Sequence, residues 1–357
     1  MNNKQILTAS QLTLSIVCTQ VGLSAFRIQE LMQSNVRKDA WITIIVGGLA
    51  LQVVTVVFWI LLEKFPSQTF FQITENITGP ILGKVIIFTY TIFFTIMASI
   101  ELSVITRTIS IWALPRTPFF VISLLTILIG VYITKDTVDT IVRFQNWIFF
   151  LIVIKILMFS LLISDIKDLQ FLFPLGSSGL LTIMKEVSSP MSYLIGNTLM
   201  FMLYSKTKGA PKMKLYSVLI ANFISIFIFT SLSIMASIIY SPDQVGHIVN
   251  PLVYMFKDTA ISIFQRLDLY FLILRYIFKI VAFVSVFYLA SSGASYILNR
   301  EQHKPVVPYL GIVILLLSMY IPVEYIIRME FITTSIFVYI IPILLLFISI
   351  IFRVNNK

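Results

Sequence analysis

Cysteine occurs once in the 357 residues, at Cys18, so no internal disulfide can form and a cysteine-built metal site is excluded. Histidine occurs twice, at His247 and His303. Both fall between the apolar runs, which argues against a buried haem or zinc centre, and no metal or other cofactor is expected. Charge is scarce: Asp, Glu, Lys and Arg make up 12% of the chain, against about 25% in soluble domains. Nucleophile–base constellations and phosphate-binding loops are missing, so an enzyme is not expected. Acidic residues are fewer than basic ones, and the formal net charge is +10. The basic excess is no nucleic-acid footprint. It is scattered over the loops, where lysine and arginine orient a membrane chain and meet anionic headgroups. The start is short and polar, and no small-residue cleavage site follows the first apolar run, so that run reads as a helix and not as a cleaved signal.

What the chain has in abundance is apolar surface: 58% of its residues are hydrophobic, with 30 phenylalanines. The sequence predicts an all-α integral membrane protein of ten spans, each long enough for a roughly 30 Å hydrocarbon core. They run about Ile6–Arg27, Trp41–Leu62, Lys84–Leu114, Pro118–Thr134, Ile141–Ser164, Glu186–Ser205, Leu215–Tyr240, Asp268–Leu298, Pro305–Ile321 and Phe331–Phe352. An even count puts both termini on one side. The densest basic loop, Lys206 to Lys214, then places that side in the cytoplasm. Two longer loops, Asp165–Lys185 and Ser241–Arg266, fall outside, and Pro251-Leu-Val-Tyr-Met-Phe256 in the second predicts a short interfacial helix.

The first span stalls at Thr19-Gln20-Val21-Gly22-Leu23-Ser24. A polar amide, a glycine and a serine at mid-membrane depth predict a helix that unwinds there. Non-helical backbone at that depth must be surrounded by protein or water. The alternative is a continuous helix with a tolerated glycine. The sixth span repeats the oddity at Gly196-Asn197-Thr198. Two interrupted helices five spans apart point to an inverted repeat with a midplane site. One repeat would cover about 6–164 and the other about 186–352, within a single membrane domain 1–357.

Four stretches carry a resemblance to a known family. They are Lys38-Asp39-Ala40-Trp41; Ala98-Ser99-Ile100-Glu101 with Arg116-Thr117-Pro118; Leu194-Ile195-Gly196 with Leu199-Met-Phe-Met-Leu203; and Gln265-Arg266-Leu267-Asp268. In order and spacing the chain resembles the B subunits of spore germinant receptors, within the amino acid/polyamine/organocation transporter superfamily. The resemblance covers nearly the whole chain. It departs around the expected site: Gly22-Leu23-Ser24 replaces a Gly-x-Gly, Thr198 stands where a Glu is common, Gln265 replaces a Glu, and Arg275 replaces a Trp.

The resemblance implies a LeuT-like fold of five plus five helices, with the ligand between broken helices 1 and 6. Carried over by position, the ligand-binding residues are Gln20, Gly22, Leu23 and Ser24 of span 1, and Phe93 and Met97 of span 3. Span 6 adds Ile195, Gly196 and Asn197, span 8 adds Val281, Ala282 and Ser285, and span 10 adds Phe337. It also implies a small nutrient ligand, an amino acid first among the classes, and two partners: a larger A-type membrane subunit and a C-type lipoprotein. The place would be the inner membrane of a spore, with both termini on the core side. A proton- or sodium-coupled amino acid transporter is the alternative, and a scaffold without ligand is a third reading.

Glu101, Lys155, Arg275 and Lys279 lie inside spans and need partners. Glu101 is expected to pair with Arg275 or Lys155, either as a gate or as a fixed structural pair, with Lys155 and Lys279 otherwise snorkelling to an interface.

Overall fold

The computed structural model describes residues 6–24, 31, 34–162, 169–241, 244, 247–248, 250–258, 266–320 and 333–352, without the side chains of Ser24, Gln170, Tyr193 and Ile195. Parts of the two long loops 165–185 and 241–266, the Gln265 position and the end of span 1 toward Arg27 lie outside the described residues.

Among the described residues the chain is nearly all helix, with one isolated bridge between Leu7 and Thr207. Five helical segments are long and apolar enough to cross a membrane, and four shorter apolar helices accompany them. The helices are α1 (Ala9–Ser24), α2 (Ala40–Lys64), α3 (Phe70–Thr78), α4 (Pro80–Trp112), α5 (Phe119–Thr134), α6 (Val138–Phe149) and α7 (Leu151–Ser160). After the first long loop come α8 (Leu180–Glu186), α9 (Ser188–Tyr193), a 3-10 stretch Ile195–Leu199, α10 (Met200–Leu203) and α11 (Pro211–Ile239). The chain closes with α12 (Pro251–Asp258), α13 (Leu267–Ile297), α14 (Val307–Tyr320), a π-helical turn Ser335–Ile340 and α15 (Ile341–Ile351).

α1 begins on a capping box. The Thr8 and Gln11 side chains each accept from the other's backbone N–H, at 3.2 and 2.9 Å, which satisfies donors that a helix start leaves unpaired. Just before it, Ile6 and Leu7 donate to the carbonyl of Lys206, and Lys208 donates back to Leu7. The start of span 1 is therefore tied to the end of span 6.

The expected unwinding inside Thr19–Ser24 is not seen: those six residues are helical, and α1 as described ends at Ser24. Glycine at position 22 packs and does not unwind, because its bare Cα lies against the Phe278 carbonyl. Span 6 does break where the sequence marks it, with Gly196, Asn197 and Thr198 in the 3-10 stretch. Span 5 also divides, at Phe150, into α6 and α7.

α3 is a helix the hydropathy reading passed over. It starts on a Thr69/Gln72 capping box and packs Phe70 flat on Phe201, 4.1 Å between centroids. The expected helix at Pro251 is present as α12. Its Leu252, Val253, Met255 and Phe256 are buried, and Phe256 stacks on Phe271 of α13 at 4.5 Å.

The Lys38-Asp39 pair anchors the first long loop. Asp39 is fully buried, and its carboxylate accepts from the Gly176 and Ser178 backbone N–H groups and from both the Ser177 and Ser178 hydroxyls. Lys38 donates to the Phe173 carbonyl at 2.9 Å. Asp39→Ala removes the acceptor for all four donors, two of them backbone amides. It is expected to cost about 3 kcal/mol and to open the 171–178 segment to limited proteolysis. A digestion pattern like that of the parent protein would refute this anchoring role.

Candidate functional site

Span 6 breaks against α1. Gly196 makes this possible: a Cβ there would stand 2.5 Å from Gln20 Cγ. The Gln20 amide fills the break. Its Nε2 shares its two hydrogens among three acceptors, the Leu194 carbonyl at 3.2 Å, Asn197 Oδ1 at 3.0 Å and Asn222 Oδ1 at 2.9 Å. Asn197 and Asn222 both donate to the Thr55 hydroxyl, at 2.8 and 3.0 Å, and Asn222 also donates to Gln52 Oε1 at 3.0 Å. Gln20, Asn197, Asn222 and Thr55 have no solvent exposure. α1, α2, span 6 and α11 are thus joined through one buried amide network, and such networks rigidify when their members are satisfied.

On its other face α1 meets α13. The Cβ that Gly22 lacks would lie 2.2 Å from the Phe278 carbonyl oxygen and 2.7 Å from Ala282 Cβ. Thr19 and Ser285 exchange a hydroxyl hydrogen bond at 3.0 Å, and Gln145 of α6 donates to Ser285 at 2.8 Å. Cys18 donates to the Gln145 carbonyl at 3.3 Å. Phe93 of α4 stacks on Phe337 at 4.7 Å, the π-helical turn presenting that ring, and Tyr90 donates to the Phe337 carbonyl at 2.6 Å.

The structure therefore brings Gln20, Gly196 and Asn197 together, joins Gly22 to Ala282, and joins Phe93 to Phe337. Leu23, Met97, Val281 and Ser285 are buried in the same core. The side chains of Ser24 and Ile195 lie outside the described residues.

The intramembrane charges are paired differently from expectation. Glu101 binds Lys279, at 2.7 Å with each side chain 2% exposed, and not Arg275 or Lys155. Lys279 lies one turn further along α13 than Arg275, level with Glu101, and also donates to the Leu23 carbonyl at 3.2 Å. Snorkelling is overturned as well: Lys155 is buried, with its ammonium 5.0 Å from the Phe278 ring and 5.6 Å from the Phe271 ring.

Gln52, Thr55, Asn222, Gln145 and Thr19 were not among the expected site residues. The amides were visible as expensive groups inside apolar runs, but nothing in the sequence pairs them across helices. Asn222→Leu removes one acceptor of Gln20 and one donor to Thr55. It is expected to cost about 2–3 kcal/mol, read as a lowered melting temperature in micelles, and an unchanged midpoint would contradict the network's role.

Comparison with known folds places this architecture among LeuT-fold transporters. MhsT in complex with L-phenylalanine superposes with a TM-score of 0.71 at 14% identity, covering 99% of this chain and 91% of that one. A substrate-bound Na+-coupled sialic acid symporter in an outward-open state gives 0.69 at 14%, covering 96% and 80%. The nucleobase-cation-symport-1 transporter MHP1, closed with bromovinylhydantoin, gives 0.68 at 12%, covering 92% and 76%. At these identities the likeness shows the fold alone.

The sequence adds the family. The model of the family described as "Spore germination protein" matches residues 6–326, and the chain belongs to that family. It is 23% identical over 300 residues to spore germination protein YndE of Bacillus subtilis (strain 168), covering 83% of this chain and 82% of the relative. It is also 23% identical over 311 residues to spore germination protein GerQB of Bacillus cereus, covering 86% and 84%. The protein is a germination-related, transporter-like, multi-pass membrane protein.

Proposed function

We propose that this protein is the membrane subunit of a spore nutrient receptor that binds a small nutrient, an amino acid first among the classes, between α1 and span 6. The observation that carries the reading is the Gln20 amide seated on the carbonyl at the span 6 break. A backbone acceptor at a broken helix is the group that grips an ammonium in midplane sites, and here a side chain from the facing helix occupies it. A ligand amine would displace Gln20 Nε2 from the Leu194 carbonyl and from Asn197. Gly22, Leu23 and Ser24 would offer α1 backbone to the ligand. Phe93, Met97 and Ile195 would limit side-chain size, Phe337 would close the end, and Val281, Ala282 and Ser285 would form the α13 wall. The chemistry is recognition, with no catalysis and no cofactor.

Binding would act by population shift. The amide network makes α1, α2, span 6 and α11 one body, and the α1–α13 contacts join it to α4 and α13. A ligand that replaces Gln20 bonds would alter the balance between the two bodies, each of which takes helices from both proposed repeats, 6–164 and 186–352. The readout requires neighbours: an A-type membrane subunit and a C-type lipoprotein, in the inner membrane of the spore, with both termini on the core side.

The test is germination of spores lacking the gene against amino acids, sugars and nucleosides, complemented by the parent chain and by Phe93→Ala. That substitution unstacks Phe337 without touching the amide network. Loss of response to one nutrient class, and a shift toward larger ligands in the Phe93→Ala strain, are expected. The fold's transporter neighbours favour a second reading, a proton- or sodium-coupled amino acid transporter. Unchanged germination together with amino acid uptake by the purified protein in liposomes would establish it in place of the first.

A further inference from the structure

The loop between α13 and α14 carries one of the two histidines, and nutrient recognition leaves it unused. His303 Nε2 lies 2.8 Å from the Thr134 carbonyl oxygen. A carbonyl only accepts, so Nε2 carries the hydrogen, and Nδ1 is the nitrogen left to take a further proton. Thr134 is the last residue of α5, where a helix leaves carbonyls unpaired. The imidazole also meets the Tyr288 ring of α13 edge to face, 4.8 Å between centroids. The His303 carbonyl accepts from the Val306 and Val307 amides at 2.9 and 3.3 Å, at the start of α14. One half-buried residue thus joins α5, α13 and α14 at one end of the bundle.

That end also holds the start of span 1. Ile6 and Leu7 donate to the Lys206 carbonyl at 2.8 and 3.1 Å, and Lys208 donates back to the Leu7 carbonyl at 2.8 Å. The Lys206 side chain is close enough to His303 to disfavour a second positive charge there. From the α5–α6 connection, the Asp136 carboxylate favours that charge, but Asp136 is exposed and water screens it. Lys135, beside it, is half-buried, and α13 presents the neutral Tyr288 ring. On the loop itself Arg300, Glu301 and Lys304 are exposed. Burial pushes the imidazole below its ordinary range. The Thr134 and Asp136 carbonyls oppose that shift, Lys206 adds to it, and the Asp136 carboxylate opposes it.

We propose that His303 is a proton-operated latch for the start of span 1. Neutral, it seats the α13–α14 loop on α5 beside Lys206. Protonated, it repels the Lys206 ammonium, and the backbone tie from Lys206 to Ile6 and Leu7 releases. The sign follows from the depressed imidazole: latching is fully present above the pKa of the released form and is lost as pH falls through the lowered value. No residue of the Gln20 network takes part, so the latch stands or falls apart from nutrient binding.

The experiment uses the full chain in phosphatidylcholine nanodiscs, with Cys18→Ser and nitroxide spin labels on Ile6→Cys and Tyr132→Cys. Those side chains are 46% and 82% exposed, the first on the tied segment and the second near the end of α5. Distances between the labels are measured by pulsed electron resonance at about pH 8 and about pH 5, the range in which histidine titrates. One short distance is expected at the higher pH. A longer population is expected at the lower pH and is expected to disappear on return. The ratio of long to short should rise by about ten-fold for each unit by which latching depresses the His303 pKa.

His303→Gln keeps a donor for the Thr134 carbonyl but does not titrate, and is expected to show the short distance at both pH values. Lys206→Met keeps the backbone tie and removes the repelled charge. The same result is expected there, which keeps the test decisive if His303→Gln does not fold. His247→Gln, at the other histidine, is expected to leave the pH response intact. No longer population in the parent at low pH, a response that persists in His303→Gln or Lys206→Met, or one abolished by His247→Gln would overturn the proposal.

Discussion

Glu101→Gln is expected to destabilise the protein by about 3–5 kcal/mol, the cost of leaving one partner of a buried ion pair without the other. Both side chains are 2% exposed at 2.7 Å, so solvent does not screen the loss. Lys279 cannot relieve it by reaching water. It lies twelve residues into α13, about 18 Å along the axis at 1.5 Å per residue. Its bond to the Leu23 carbonyl is with a neutral acceptor, which does not replace a carboxylate. The expected result is a sharply lowered melting temperature in nanodiscs and reduced accumulation in the membrane.

The double variant Glu101→Leu with Lys279→Met separates structure from gating. Removing both charges avoids the uncompensated ion, and replacement of a buried pair by apolar side chains is often neutral or stabilising. Accumulation and melting close to the parent are expected. If that variant also germinates normally, the pair is a fixed strut; if it is stable but fails to respond to nutrient, the pair gates. The Leu23 contact makes the second outcome informative, because the ammonium joins α4, α13 and the end of α1 at one point. Normal melting of Glu101→Gln would show that the pair does not hold these helices.

Hydropathy and spacing reveal the membrane class, most spans and the span 6 break, because long apolar runs and a glycine–amide interruption are local signals. α3 stayed hidden because its nine residues alternate Phe-Phe, Ile and Ile with polar residues, too short and too mixed for a span. The unwinding expected within Thr19–Ser24 is not seen for a different reason: a glycine that admits a neighbouring helix looks, in sequence, like a glycine that ends one. Gly196 packs on Gln20 and Gly22 packs on Phe278, yet only the first lies where the α-helix gives way to a 3-10 stretch. The Glu101 partner was beyond reach for a third reason. Arg275 and Lys279 share a face of α13, and only the depth at which α4 crosses it selects between them. The amide cluster shows the same limit, since each of Gln20, Gln52, Asn197 and Asn222 is visible alone and their meeting is tertiary.

Gly22→Ala is expected to separate α1 from α13. The new methyl would stand 2.2 Å from a backbone carbonyl oxygen and 2.7 Å from Ala282 Cβ. A backbone oxygen inside a helix cannot rotate aside as a side chain can, so the helices must part. Ala282→Gly as a second change would relieve only the milder clash. Parting stretches the Thr19–Ser285 and Lys279–Leu23 bonds, and overpacking of this kind costs about 1–3 kcal/mol.

Cys18 supplies the readout. It is the only cysteine in the chain, it is fully buried, and it lies one turn before Gly22 on the same helix. A membrane-permeant maleimide should label the parent chain slowly. Where reclosing is faster than labelling, the rate follows the open population. The same 1–3 kcal/mol then corresponds to a rise of roughly 5- to 150-fold. A faster rate with a lowered melting temperature would show that α1 and α13 separate under a load of one methyl, the motion a ligand at the Gln20 junction would have to drive. An unchanged rate with a lowered melting temperature would mean that α13 absorbs the strain within itself, and the coupling of α1 to α13 would then be refuted.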